Sequence, residues 1–313
     1  MTNLSEFTFL SSDGKTQLHG MLWEPEGVAV RAVLQICHGV AEHIARYDGF
    51  ARALNEQGIV VAGHDHLGHG KSLPEGGTPV YFGDGNTWNT VVDDIYVLHQ
   101  RLKQRYPDAP LCIMGHSMGS FLTRTYLIRY PGTVKAAVIM GTGWQPRAAI
   151  TGGLALANAI AAVSGENATS ELVTELAFGS YNKLFAPNRT KVDWLSADES
   201  NVDDYIADPL CGADATVGLF RQMLHGIRFN QRQSHLRQMD REMPVLFVAG
   251  DKDPVGNCGK GVRQTYDAFR AAGMRDCTLK LYPGLRHEIL NEKAYTADIT
   301  KNIEAWLLSR LEK

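Results

Sequence analysis

The chain reads as an α/β protein built on a doubly wound, mostly parallel sheet of eight strands that carries an inserted helical cap. Three observations predict this. Short, continuously apolar runs at 32–37, 58–63, 111–115, 136–141 and 244–249 are the pattern of strands buried on both faces. Helical patterns separate these runs, and alternating β and α elements imply a parallel sheet with helices on both faces. The alternation stops between Trp144 and about Met239, a stretch too long for a loop and lacking any strand-like run.

The elements follow in order. Phe7 and Phe9 alternate with polar neighbours, Asp13-Gly14 marks a turn, and Gln17 to Trp23 returns, which reads as an antiparallel pair at one sheet edge. The runs at 32–37 and 58–63 supply the next two strands. Val91, Ile95, Leu98 and Leu102 share one helical stripe, as do Ile299, Ile303, Trp306 and Leu307 at the C-terminus. The run at 111–115 leads into a helical stretch from Ser120 to Tyr130. After 249, one further helix and strand end at Tyr282 and complete the eight. Residues 1–143 and 240–313 thus form the core, and 144–239 the cap, inserted after the sixth strand.

Within the cap, Leu154 to Val163 is almost wholly Ala, Leu, Ile and Val. At roughly ten residues it falls short of the about twenty that span a bilayer. It reads as a cap helix over the site, with Leu154, Leu156, Ile160 and Val163 facing the substrate. The alternative is an exposed apolar face that makes transient contact with a membrane surface. Acidic residues over 193–214 and five arginines over 221–241 read as solvated faces and ion pairs.

Composition narrows the partners. A chain of 313 residues is large for one core, which suits one catalytic domain plus an insertion. A net charge of −3 with dispersed basic residues argues against nucleic acid. Five cysteines without a C-x-x-C spacing indicate neither a disulfide framework nor a zinc ribbon. Cys37 and Cys112 lie in apolar runs and read as core packing, while Cys258 falls in a loop. Met1 to Glu6 has no basic start and no apolar h-region, so the expected location is cytoplasmic.

The chemistry centres on Gly115-His116-Ser117-Met118-Gly119, a G-x-S-x-G pentapeptide between a strand and a helix. A serine on such a turn is lifted clear of the sheet, and the flanking glycines admit close backbone. Ser117 as nucleophile needs a base and a group to orient that base. The run 244–249 ends in Gly250-Asp251-Lys252-Asp253-Pro254, which places two candidate acids in one loop. Tyr282-Pro283-Gly284-Leu285-Arg286-His287-Glu288 places His287 in a turn after the last strand. An acid after the preceding strand is absent, since 136–144 contains none. Oxyanion donors are expected from the backbone N–H of Met118, at a helix N-terminus, and of Val40, in the loop His38-Gly39-Val40-Ala41-Glu42-His43.

One competing reading is a metal centre. His64, His66 and His69 form H-x-H-x-x-H, the spacing that opens a zinc or di-iron site in some metallohydrolases. That pattern expects an Asp before the third His, where Gly68 stands, so the stretch reads instead as a structural loop and no metal is expected.

The three motifs at 38–43, 63–72 and 115–119, in this order and with these gaps, resemble the monoacylglycerol lipase and lysophospholipase branch of the α/β-hydrolases, a serine aminopeptidase S33-type group. The resemblance covers nearly the whole chain outside the cap, and Asp208-Pro209-Leu210 is similar to the family's cap-to-core return. It implies Asp253 rather than Asp251 as the acid, and His287 as the base. Where mammalian monoacylglycerol lipases show Gly, this chain has Ala41. The expected activity is hydrolysis of carboxylic esters through an acyl-serine intermediate, without a cofactor, on small ester or lipid substrates such as monoacylglycerols or lysophospholipids. A promiscuous short-chain carboxylesterase is the alternative, an aminopeptidase or a metal-dependent hydrolase a more distant one.

Overall fold

The computed structural model describes residues 1–311. The strands are β1 (Thr2–Leu10), β2 (Gln17–Pro25), β3 (Ala32–Cys37), β4 (Ile59–His64), β5 (Leu111–His116), β6 (Ala136–Met140), β7 (Val245–Gly250) and β8 (Cys277–Tyr282). They form one sheet in the order β1-β2-β4-β3-β5-β6-β7-β8. The hairpin β1–β2 joins β4 antiparallel, and every pairing from β4 to β8 is parallel. Strands β3 to β7 are buried along their whole length, as their unbroken apolar runs require.

Two apolar cores lie on opposite faces, because successive side chains of a strand point to opposite sides. Ile113, Ile139 and Phe247 enter one core; Met114, Val138 and Val248, each in an adjacent position, enter the other. The first is covered by α2 (Thr87–Arg105) and α3 (Met118–Arg129), the second by α1 (Asp48–Asn55).

Between β6 and β7 run α4 (Arg147–Ser164), α5 (Glu171–Thr174), a π-helical turn (Glu175–Gly179), α6 (Ser180–Lys183), α7 (Glu199–Ala207), α8 (Val217–Asn230) and α9 (Gln233–Leu236). Helix α8 packs between α3 and α4. Asn230 fastens it to the core, donating to the Phe121 carbonyl at 2.8 Å and accepting from the Thr125 hydroxyl at 2.8 Å. After β7, α10 (Lys260–Ala271) covers the first face through Val262 and Phe269, and α11 (Thr296–Leu311) covers the second through Ile299, Ile303 and Leu307.

The apolar run at 154–163 belongs to a longer helix than its composition suggests. α4 spans 18 residues, long and apolar enough to cross a membrane by length and composition alone. Ile150, Leu154 and Ala157, at helical spacing, are buried on one side of it.

Candidate active site

Ser117 sits between β5 and α3 at φ 54° and ψ −122°. That positive φ is strained for any residue with a Cβ, and such strain persists only where the surroundings enforce it. Here they do: the Ser117 N–H donates to the Met140 carbonyl at 3.1 Å, and a Cβ at Gly119 would stand 2.0 Å from the Cys37 carbonyl oxygen. A side chain at Gly115 would meet the Gly119 carbonyl at 2.3 Å. The turn therefore closes only with glycine at both positions, and it thrusts the Ser117 hydroxyl out beyond the strand ends.

His287 lies in the loop after β8, with Nδ1 3.0 Å from Asp253 Oδ1. Both side chains are buried. A carboxylate only accepts, so Nδ1 carries the proton and Nε2 keeps its lone pair. Nε2 has no hydrogen-bond partner among the described residues. The Val255 N–H also binds Asp253 Oδ1, at 2.9 Å, and fixes the carboxylate. Asp251, the other candidate acid, instead accepts from the Gly284 N–H at 2.8 Å at the surface. The structure thus brings Asp253 to His287 and leaves Asp251 as a loop brace.

The loop 38–43 passes close over Ser117, since a Cβ at Gly39 would approach the Ser117 Cβ to 3.1 Å. Met118 opens α3, so its N–H has no acceptor within the helix. Val40 and Met118 line one cavity together with Ser117. Ala41 has φ 52°, in the left-handed region that glycine occupies without strain. Its carbonyl accepts from the Gly212 N–H and the Tyr205 hydroxyl, both at 3.0 Å, which ties this loop to the helical insertion.

Behind these groups lies a buried charged network that the sequence did not disclose. Glu42 accepts from the Gly39 N–H at 2.5 Å, from Arg46 at 2.9 Å and from His116 Nδ1 at 3.1 Å. His116 Nε2 faces the His287 carbonyl oxygen at 3.3 Å. Both ring nitrogens thus meet acceptors, which calls for an imidazolium. Burial by itself would lower the His116 pKa, but the Glu42 hydrogen bond and charge outweigh it and raise it. Arg46 reaches on to Glu288 in a bidentate pair at 2.7 and 2.8 Å, and Asn201 donates to Glu288 at 2.9 Å. Burial opposes the Glu42 charge, yet His116 and Arg46 hold its carboxyl well below the usual range. Glu42, His116 and Glu288 lie within the motifs, yet adjacency in sequence does not name a partner, and Arg46 and Asn201 lie outside them.

His64, His66 and His69 are buried, with the His38 ring tilted against His66 and His69 and the His64 ring edge-on to His66. Among the described residues no three of them bring their nitrogens within reach of one ion. Burial pushes His64 and His69 down to about 3, so they are neutral. His38 ties two loops together, as its Nδ1 donates to the Gly39 carbonyl at 2.8 Å and its Nε2 accepts from the His66 N–H at 2.9 Å.

Ser117 stands at the junction of two cavities. One, of about 460 Å³, is walled mainly by apolar side chains, including Phe121, Leu156, Phe220, Met223 and Ile227. The other, of about 720 Å³, holds His287 and is rimmed by polar groups, among them Asn182, Lys183, Asn188 and Asp214. Val40, Phe178 and Trp194 belong to both walls. Of the four α4 residues expected at the substrate, Leu156 lines the apolar cavity. The other three line neither cavity. Leu154 is on the buried stripe, Ile160 is half-buried against the core, and Val163 is 87% exposed in the last turn of α4. At about 100° per residue Leu154 points away from Leu156, whereas Ile160 and Val163 share the side of Leu156 and lie about 6 and 10 Å further along the helix axis.

The family description "Serine aminopeptidase, S33" matches residues 28–294. The chain is 31% identical to a monoacylglycerol lipase of Mycolicibacterium smegmatis over 98% of each protein. It is 27% identical to the human monoglyceride lipase, over 96% of this chain and 89% of that one. A solved carboxyl esterase from Bacillus coagulans, in complex with glycerol, superposes with a TM-score of 0.92 at 26% identity, covering 99% of this chain and all of that one.

Proposed function

The chain belongs to the serine aminopeptidase S33 family, and from that membership we propose that it is a carboxylic-ester hydrolase of the monoacylglycerol lipase type acting through Ser117, His287 and Asp253. One observation carries the substrate assignment: Ser117 lies where an apolar cavity meets a polar one. An ester with its carbonyl at Ser117 can lay a fatty acyl chain in the first and a glycerol-like alcohol in the second. Burial of each acyl CH₂ contributes about 0.8 kcal/mol, which favours long chains in that orientation.

The reaction runs in two halves. His287 Nε2 takes the proton as Ser117 Oγ attacks the carbonyl carbon, and the Val40 and Met118 N–H groups receive the oxyanion. Collapse of the tetrahedral intermediate breaks the bond to the alcohol oxygen, which leaves with the proton from His287. Water then adds to the acyl-serine with His287 as base, and the acid departs as Ser117 regains its proton. Asp253 holds the Nδ1–H tautomer throughout, and Trp194, whose ring centroid lies 5.2 Å from that of His287, shields the base from solvent.

Residues 144–239 serve as a cap over these cavities. The face of α4 turned away from the core carries no charged side chain from Ala148 to Ser164, and this supports transient contact with a lipid surface that delivers substrate. Glu171 and Asp214 in the polar wall give an aminopeptidase reading its anchor for a free amine. The deciding experiment pairs fluorophosphonate labelling with a substrate panel. Label is expected on Ser117 and lost in Ser117→Ala, with monoacylglycerol turned over faster than lysophosphatidylcholine or aminoacyl anilides. Labelling that survives in Ser117→Ala, or preference for the anilides, overturns the reading.

A further inference from the structure

A second constellation lies where the insertion meets the loop 38–43. His43 is buried, and its Nε2 is 2.8 Å from Asp208 Oδ2. Cys211 follows in the same turn, its N–H donating to the Asp208 carbonyl at 3.0 Å, and its thiol is free, half-buried and without a hydrogen bond among the described residues. One ligand atom from each of the three lies within 4.8 Å of the other two. A hydrogen bond accounts for His43 with Asp208; it leaves the thiol beside them unexplained.

The donor set is imidazole nitrogen, carboxylate oxygen and thiol sulfur, the set that zinc and its neighbours in the first transition row prefer. We propose that His43, Asp208 and Cys211 form a divalent-metal site of the zinc type, with water as fourth ligand, that clamps the cap to the oxyanion loop and slows turnover when filled. The thiol gives its proton to solvent as the metal binds.

The inhibitory sense follows from geometry. With metal–ligand distances of about 2.0–2.1 Å, a tetrahedral ion holds its nitrogen and oxygen ligands about 3.4 Å apart. The His43–Asp208 contact must therefore open from its present 2.8 Å. His43 is three residues from the Val40 donor, and the Ala41 carbonyl between them is already held by Gly212 and Tyr205. Displacement at His43 is thus passed to the N–H that receives the oxyanion.

The test uses the whole chain after removal of adventitious metal, titrated with zinc chloride by calorimetry and by hydrolysis of p-nitrophenyl butyrate. One zinc per chain is expected, with loss of activity that EDTA restores. Cys211→Ser should leave metal-free kcat within about twofold while weakening both binding and inhibition at least tenfold. Cobalt added to the unmodified protein should show a thiolate-to-cobalt charge-transfer band, a readout that needs no variant to fold. Absence of stoichiometric binding, equal affinity in Cys211→Ser, or a cobalt spectrum without the thiolate band overturns the site. None of these results depends on which ester the enzyme prefers.

Discussion

Leu156 and Ile160 lie four residues apart on α4, yet the structure gives them different surroundings, and their replacement by aspartate should separate substrate binding from packing. Leu156 lines the apolar cavity, whereas Ile160 is half-buried against the core and lines neither cavity. Each acyl CH₂ that leaves water contributes about 0.8 kcal/mol, roughly a fourfold rise in kcat/KM. From butyrate to octanoate four methylenes are added, so the unmodified enzyme should gain about 3 kcal/mol, roughly 200-fold. A carboxylate at 156 keeps its hydration and draws water into the cavity, because burying it as an ion is far costlier than the methylene contacts it replaces.

Leu156→Asp should therefore cut the octanoate-to-butyrate ratio at least tenfold while leaving acetate esters within about threefold of the unmodified rate. Ile160→Asp should lower the thermal midpoint and depress all esters alike, with the ratio unchanged. The assay is initial-rate hydrolysis of p-nitrophenyl esters from acetate to decanoate, below the concentration at which they form micelles. An unaltered ratio in Leu156→Asp, or a flattened one in Ile160→Asp, would refute the assignment of the apolar cavity to the acyl chain. A profile that falls beyond butyrate in the unmodified enzyme would leave a short-chain esterase.

Three further outcomes are expected. Asp253→Asn should lower kcat by about 10⁴ by releasing the His287 tautomer, and Asp251→Asn, which loses a surface brace, by less than about tenfold; the reverse order of severity would make Asp251 the acid. Glu42→Gln removes the carboxylate that pairs with His116 and Arg46. At about 1.5–3 kcal/mol for a charged hydrogen bond, it should lower kcat roughly 10- to 100-fold with little change in KM, and an unaltered kcat would show that the network does not hold the oxyanion loop. His64, neutral in the fold with its pKa pushed down to about 3, contributes stability that is present above its ordinary value of about 6.5 and lost as pH falls below it. Between those values it adds up to about 1.4 kcal/mol per pH unit to the slope, so urea unfolding of His64→Phe at pH 7.0 and 5.5 should show a shallower loss; an equal loss would mean that His64 is protonated in the native state.

The strands and the tight turn at Ser117 were legible because each leaves a local mark. Buried parallel strands require unbroken apolar runs, and a serine at positive φ requires glycine two residues to either side. His287 and the aspartates Asp251 and Asp253 were readable as single residues after apolar runs. The residues by themselves left Asp251 and Asp253 open and the family resemblance pointed to Asp253; in the structure Asp253 contacts His287 and the Val255 N–H, while Asp251 accepts from the Gly284 N–H.

What tertiary structure alone decided concerns groups whose partners are distant in the chain. Glu42 meets His116 across 74 residues, and Arg46 meets Glu288 across 242. Their adjacency exists only once β3, β5 and β8 end at the same sheet edge. The insertion between β6 and β7 illustrates the same limit: the run from Leu154 to Val163 is almost wholly apolar, so its composition does not distinguish Leu156 at the cavity from Val163 in solvent. Leu156 and Val163 are seven residues apart and so share one side of α4; the packing of α8 against α4 selects the buried side, while position along the axis, about 10 Å apart, decides which of the two reaches the cavity.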